Sequence, residues 1–327
     1  MQRLGSTFGL VAGGLVVMGT GLALLSVPIP VVDAAFAPSP RSLFATDFQE
    51  RRSPALELRA RSVPQLKAHF ARIGYAWERA PQSVPRVRLS AFPPDLADVR
   101  DLRERKRLFF QTMLPLILLE NERIQADRQH MLTLFGRVDG GLSIDRQDDA
   151  WLRNLARKYQ VTAAPTSADG RDRLLRQVNV VPQSLALAMA AHESAWGTSR
   201  FVEQGNNLFG QWTFTTGSGL VPEGRQEGMR HEVAVFPDLA SSVRAYLRNL
   251  NTHWAHDTFR RSRETMPSLA TPEASIQLAL TLTRYSERGA EYTEDLVRFI
   301  RRNRLTRFDG TTLQSSRRRA WMVAAAP

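Results

Sequence analysis

The chain predicts a mainly α protein with one small β excursion, and two observations carry that prediction. Apolar residues recur at helical spacing in segment after segment from about residue 95 onward. That period is lost over any length only in residues 210–236, where glycine-rich turns surround an alternating run, His231–Phe236, that reads as a strand.

Taken in order, Arg3 precedes a run from Phe8 to Val27 without a charged residue. At ~20 residues it is long enough to span a bilayer, and positive charge on its short N-terminal side predicts export of the bulk of the chain. Ala35-Phe36-Ala37 offers a cleavage pattern, with Pro38 directly after it opposing cleavage. Residues 1–37 are therefore read as an export signal or a retained membrane anchor. Residues 38–98, rich in proline and arginine, read as a linker with short helices, one of them around Val63 to Trp77.

Residues 99–150 read as a helical N-terminal region. Its first helix runs from Asp95 to about Met131, with Pro115 expected to kink it. The run Leu108 to Leu119 is too short, and too interrupted by Gln111 and Thr112, for a second membrane span. After an Asp139-Gly140-Gly141 turn, Ser143 opens a helix whose early aspartates, Asp145, Asp148 and Asp149, suit the helix dipole and lack calcium-loop spacing. Residues 151–308 read as the main domain. Its helices begin near Arg171, at Pro182 (in the first turn, running to about Ser194), at Leu239 to about His253, at Pro272 to about Thr283 after the capping Thr271, and at Thr293 to about Arg304. Residues 309–327 are small, polar and basic, and read as a disordered tail.

The net charge of +12 is almost wholly arginine, Lys67, Lys106 and Lys158 being the lysines. It favours anionic partners. No basic recognition motif accompanies it, and with the export segment this argues against nucleic acid. Absence of cysteine excludes disulfides, thiol catalysis and cysteine-held zinc. His253 and His256 lack a third ligand at convincing spacing, so neither metal nor cofactor is expected.

The chemistry gathers at His192-Glu193-Ser194-Ala195-Trp196-Gly197. Leu185, Met189 and Glu193 fall at i, i+4 and i+8, so the carboxylate continues an apolar stripe. Burial there should raise its pKa and keep it protonated, as a proton donor requires. Gly197 is expected to end the helix, and His192 to pack or cap locally. A second carboxylate is offered by Glu223, Glu227 or Glu232; Glu232 is favoured because it sits in the strand, on one face with Ala234 and Phe236. Trp196, Phe209 and Trp212 are candidate sugar-stacking rings, and Asn207 and Gln211 candidate hydrogen-bonding amides, each also suited to core or turn duty.

His192–Ser199 followed by Asn206-Asn207-Leu208-Phe209-Gly210 resembles the E-S-x-W-G-x-S and N-N-L-F-G motifs of bacterial glucosaminidases. These are peptidoglycan hydrolases of glycoside hydrolase family 73, among them the C-terminal domain of the flagellar peptidoglycan hydrolase. Arg284–Gly289 with Tyr292 resembles the family's second signature, and the likeness covers about Leu152 to Leu305. Arg225, His231–Ala234 and Tyr246–His253 resemble the Bax-type branch, in which extra helices precede the glucosaminidase domain.

The resemblance implies a lysozyme-like helical lobe facing a small β-lobe across a sugar cleft. It further implies cleavage of the β-1,4 bond after N-acetylglucosamine in peptidoglycan strands, with Glu193 as general acid and Tyr292 near the substrate. For the opposite face of the sugar two routes stay open: Glu232 activating water, or attack by the substrate's own acetamido group with Tyr285 orienting it. The implied location is the periplasm, free or anchored to the inner membrane through residues 1–37. Two other readings compete: a lytic transglycosylase using the same glutamate, and a catalytically silent wall-binding scaffold.

Overall fold

The computed structural model describes residues 55–77, 81–223, 225 and 228–315. The expected export segment, its cleavage pattern, Glu227 and everything from residue 316 lie outside them.

The described chain opens with β1 (Leu56–Leu58), α1 (Val63–Arg72), β2 (Ser83–Val84) and β3 (Val87–Leu89). A linker was expected here, yet Leu58, Leu66, Phe70, Val84 and Leu89 are buried in the main core. One proline of this stretch, Pro64, breaks nothing: it stands in the first turn of α1, where its missing N–H is not needed. Ser62 caps that helix, and the Asp95 carboxylate takes the Val63 N–H at 2.8 and 3.0 Å. β1 and β3 pair in parallel, Leu56 opposite Val87.

α2 (Leu102–Asp139) begins seven residues after the expected Asp95, runs past the expected end at Met131 and is continuous through Pro115. Every residue from Leu108 to Asn121 is buried. A helix that is apolar all round must be surrounded, and α2 is packed by helices and strands on several sides. Its buried amides are satisfied: Gln111 donates to the Tyr75 carbonyl at 2.6 Å, and Asn121 exchanges two bonds with the Val181 backbone. The far end of α2 forms a second core with α3 (Arg146–Lys158) and α4 (Ala168–Gln177), around Met131, Phe135, Leu152, Tyr159 and Leu174. Asp145, not Ser143, caps α3, accepting the Asp148 N–H at 2.8 Å.

α5 (Gln183–Glu193), with Pro182 at its cap and not within its first turn, crosses the centre beside α2. After α6 (Arg200–Gly205) come β4 (Trp212–Thr213), β5 (Gly219–Leu220) and β6 (Glu232–Ala234), an antiparallel sheet in the order β4-β6-β5. α7 (Leu239–Thr252), α8 (Asp257–Glu264), α9 (Pro272–Leu280) and α10 (Ala290–Arg302) complete a mainly α, lysozyme-like fold with a small β-lobe. The expected disordered tail begins instead as structure. Asp309 is buried, and β7 (Thr312–Leu313) pairs in parallel with β2. Backbone pairing to a distant strand supplied the order that local composition lacked. No helix among the described residues is long and apolar enough to cross a membrane.

Candidate active site

Glu193 is the last residue of α5, and the chain beyond it turns sharply. Ser194 caps the helix, then Ala195, Trp196 and Gly197 adopt φ of 49°, 64° and 82°. Left-handed backbone is costly for alanine and more so for tryptophan, so the surroundings must impose it. The Ser194 hydroxyl, fully buried, donates to the Ala190 carbonyl and accepts the Gly197 N–H at 2.9 Å. Trp196 is wedged among Phe109, Phe110 and Phe299 at centroid distances of 5.8, 5.5 and 5.3 Å, with the Lys106 ammonium 4.4 Å from its ring centre. This ring is a core wedge and not the sugar platform expected. At Gly197 a Cβ would lie 2.9 Å from the Phe92 ring, so size and φ both demand glycine.

The Glu193 side chain is 11 % exposed. Tyr292, on the first turn of α10, donates to its Oε1 at 2.8 Å and lies 3.1 Å from Met189 Sδ. His192 Nδ1 stands 3.5 Å from the same oxygen, and this contact holds the imidazole pKa above its usual value despite partial burial. Tyr285 stacks on Tyr292 at 5.5 Å, and its buried hydroxyl donates to the Phe209 carbonyl at 3.2 Å. Phe209 in turn stacks on Tyr246 at 3.9 Å and is 1 % exposed, which makes it core and not a sugar-stacking ring. Burial pushes the pKa of Tyr246, Tyr285 and Tyr292 upward, and the charge of Glu193 adds to each. The carboxylate thus faces three neutral phenols. The Tyr246 hydroxyl is buried without a hydrogen-bond partner.

The sequence assigns His192 to local packing and names Tyr246 only within the Bax-like segment Tyr246–His253, with no place at the site. The signal for Tyr246 was its place on the apolar face of α7, which also reads as ordinary core.

The other candidates bond to or stack on groups other than Glu193. Asn207 is 1 % exposed: its amide donates to the Gln211 and Ala234 carbonyls, each at 2.8 Å, and its oxygen accepts from Phe209 and Gln211 N–H. It braces the loop and has no N–H left for a sugar. Glu232, 3 % exposed, accepts the Gly217 and Gly219 N–H at 2.9 and 2.8 Å. Those bonds hold its pKa below the usual carboxylate range. Trp212, half-buried on β4, stacks on His231 at 4.1 Å. Gln211, 1 % exposed, lines a cavity of about 580 Å³ between α2, α3, α7 and the β-lobe, its Oε1 buried without a hydrogen-bond partner. Among the described residues no group of three His, Cys, Asp or Glu is placed to hold a metal.

A family model described as a mannosyl-glycoprotein endo-beta-N-acetylglucosaminidase, the glucosaminidase domain, matches residues 171–305. Protein bax of Escherichia coli (strain K12) is 31% identical over 204 residues, which span 62% of this chain and 71% of that protein. No solved structure matches the chain.

Proposed function

Because the chain belongs to the glucosaminidase family, on its Bax-type branch, we propose that it hydrolyses peptidoglycan at the β-1,4 bond after N-acetylglucosamine, with Glu193 as general acid. The observation that carries this reading is the Tyr292 hydrogen bond to Glu193 Oε1. It fixes the carboxyl group and leaves Oε2 as the atom that delivers a proton to the leaving oxygen. The phenols around it keep bulk water from competing for that proton.

For the far face of the sugar we favour the substrate's acetamido group. Both oxygens of Glu232 already accept backbone N–H groups, which suits a fixed anion bracing the β-lobe better than a base that collects a proton from water. Tyr285 then acts by holding the Phe209 carbonyl and backing Tyr292. The expected setting is the cell-wall compartment, reached by export.

Digestion of purified peptidoglycan, with the new ends identified by mass spectrometry, tests the reaction. Reducing N-acetylglucosamine ends are expected, and Glu193→Gln should lower the rate by about 10²–10⁴-fold with its circular dichroism unchanged. Anhydro-muramyl ends would make the protein a transglycosylase, and no new ends would leave the silent-scaffold reading. The initial anomer of the product, read by NMR, separates the two routes: retention for acetamido attack, inversion for water activated by Glu232.

A further inference from the structure

Trp254, which follows α7, is the most exposed large apolar side chain among the described residues, at 64 %. The turn that carries it is nevertheless fixed. Trp254–His256 forms one turn of 3₁₀ helix, in which the His253 ring accepts the Ala255 N–H at 3.3 Å. Arg260 donates to the His253 carbonyl at 2.8 Å, and the buried His256 ring meets Asn249 at 3.0 Å. Against the indole lies the Arg284 guanidinium, 5.4 Å from the ring centre. We propose that Trp254 and Arg284 form a glycan subsite for a sugar that bears a carboxylate, which in peptidoglycan is the N-acetylmuramyl residue.

Three observations carry the proposal. An indole held in water by a rigid turn has little ordering left to lose on binding. Its flat face suits the C–H face of a pyranose, and both faces shed water when they meet.

Second, Arg284 is exposed and pairs with no carboxylate among the described residues. Arg288, four residues on, is by contrast committed to Glu291 and Asp295. An unpaired guanidinium beside an aromatic platform offers planar, paired N–H donors that a carboxylate matches and a neutral sugar leaves unused. The muramyl residue brings that acid on its lactyl group in bare strands and on its peptide stem in substituted ones.

Third, the loops that carry the pair meet twice. Inside, His256 stacks on Tyr285 at 6.1 Å, and Tyr285 stacks on the Tyr292 ring whose hydroxyl bonds Glu193. Outside, Trp254 stands two residues before His256 and Arg284 one before Tyr285, and these exposed side chains meet in turn. His253 also lines the cavity between α7 and the β-lobe. The subsite thus borders the gap between the lobes, on the Tyr285 side of Glu193.

This inference rests on the peptidoglycan reading, so its test reads binding before turnover. The full chain carrying Glu193→Gln is titrated calorimetrically with chitotetraose, with the stem-free tetrasaccharide of alternating N-acetylglucosamine and N-acetylmuramic acid, and with that tetrasaccharide bearing its stems. At least one muramyl ligand is expected to bind about tenfold tighter than chitotetraose, the gain shrinking as salt rises. Trp254→Ala should weaken all three by about tenfold, with Trp254→Phe recovering part of the loss. Arg284→Ala should erase the muramyl advantage and leave chitotetraose within about twofold. Both side chains are exposed, so the variants test contact and not folding.

Binding indifferent to Trp254→Ala would overturn the proposal, as would failure of all three ligands to bind. An equal loss of all three in Arg284→Ala would overturn the carboxylate assignment, the arginine then only bracing the ring. If the unmodified chain cuts no peptidoglycan while Trp254-dependent binding persists, the hydrolase reading falls and this one stands. If it cuts peptidoglycan and Trp254→Ala changes neither binding nor kcat/KM, the reverse holds.

Discussion

His192 and Tyr292 meet on one oxygen of Glu193, and the two contacts answer to different protonation states. Tyr292 is held neutral by burial and donates to that oxygen whether or not the carboxyl is ionised. His192 gains only from the anion, which stabilises its imidazolium. In Glu193→Gln the His192 pKa should therefore fall toward its ordinary value of about 6.5, measured from the imidazole carbon-bound protons by NMR. The same raised pKa means that this pair adds stability below the ordinary histidine pKa and loses it as pH rises through the elevated one. Much of this residue-scale picture was legible: Met189 and Glu193 lie four apart on one helix face, and the Tyr292 hydroxyl contacts both. Asn207 was not legible in the same way. Its partners include the Ala234 carbonyl, 27 residues along the chain, and nothing in an Asn-Asn pair announces so distant an acceptor.

Among the elements, the β-lobe is held by its turn more than by its strands. β4 and β5 are two residues each, too short to show any alternation, and only β6 was visible as a pattern. What closes the hairpin is Glu232 gripping the backbone of residues 217–219, and that grip needs glycine at 219. A Cβ there would lie 2.5 Å from the Val233 carbonyl and 2.9 Å from Glu232 Cβ. Gly219→Ala should push β5 off β6 and cost about 1–3 kcal/mol, read as faster hydrogen exchange at the Gly217 N–H and a lower denaturation midpoint. The elements missed by sequence reading share one cause. β1, β3 and β7 are stabilised by partners distant in the chain, so proline and arginine content nearby said little about them. The buried run in α2 was visible, yet its bounds were not: Asp101 and not Asp95 caps its start, and Pro115 falls within the enclosed stretch Leu108–Asn121, where packing on every side holds the helix through it.

At the scale of the whole molecule, residues far apart in sequence tie the central helix in place. The Asp309 carboxylate accepts the Ser184 N–H at 2.8 Å, and the Ser184 and Ser275 hydroxyls reach it at 2.7 Å. Burial holds its pKa above the usual aspartate value. Asp309→Ala would leave the Ser184 N–H buried and unpaired at the start of α5, the Ser184 and Ser275 hydroxyls keeping only each other at 2.6 Å, at a cost of about 1–3 kcal/mol, read as a lower Tm together with reduced activity through misplacement of Glu193. The parallel pairing of β7 with β2 adds to this closure, joining Ser83 to Thr312. A ribosome makes the chain in one direction, and the start of the Glu193 helix stays uncapped until Asp309 has been synthesised. The nascent polypeptide is thus without a finished candidate site until a residue 125 positions beyond Ser184 has been made, so the capping of the Glu193 helix waits on a partner that emerges long after the helix itself.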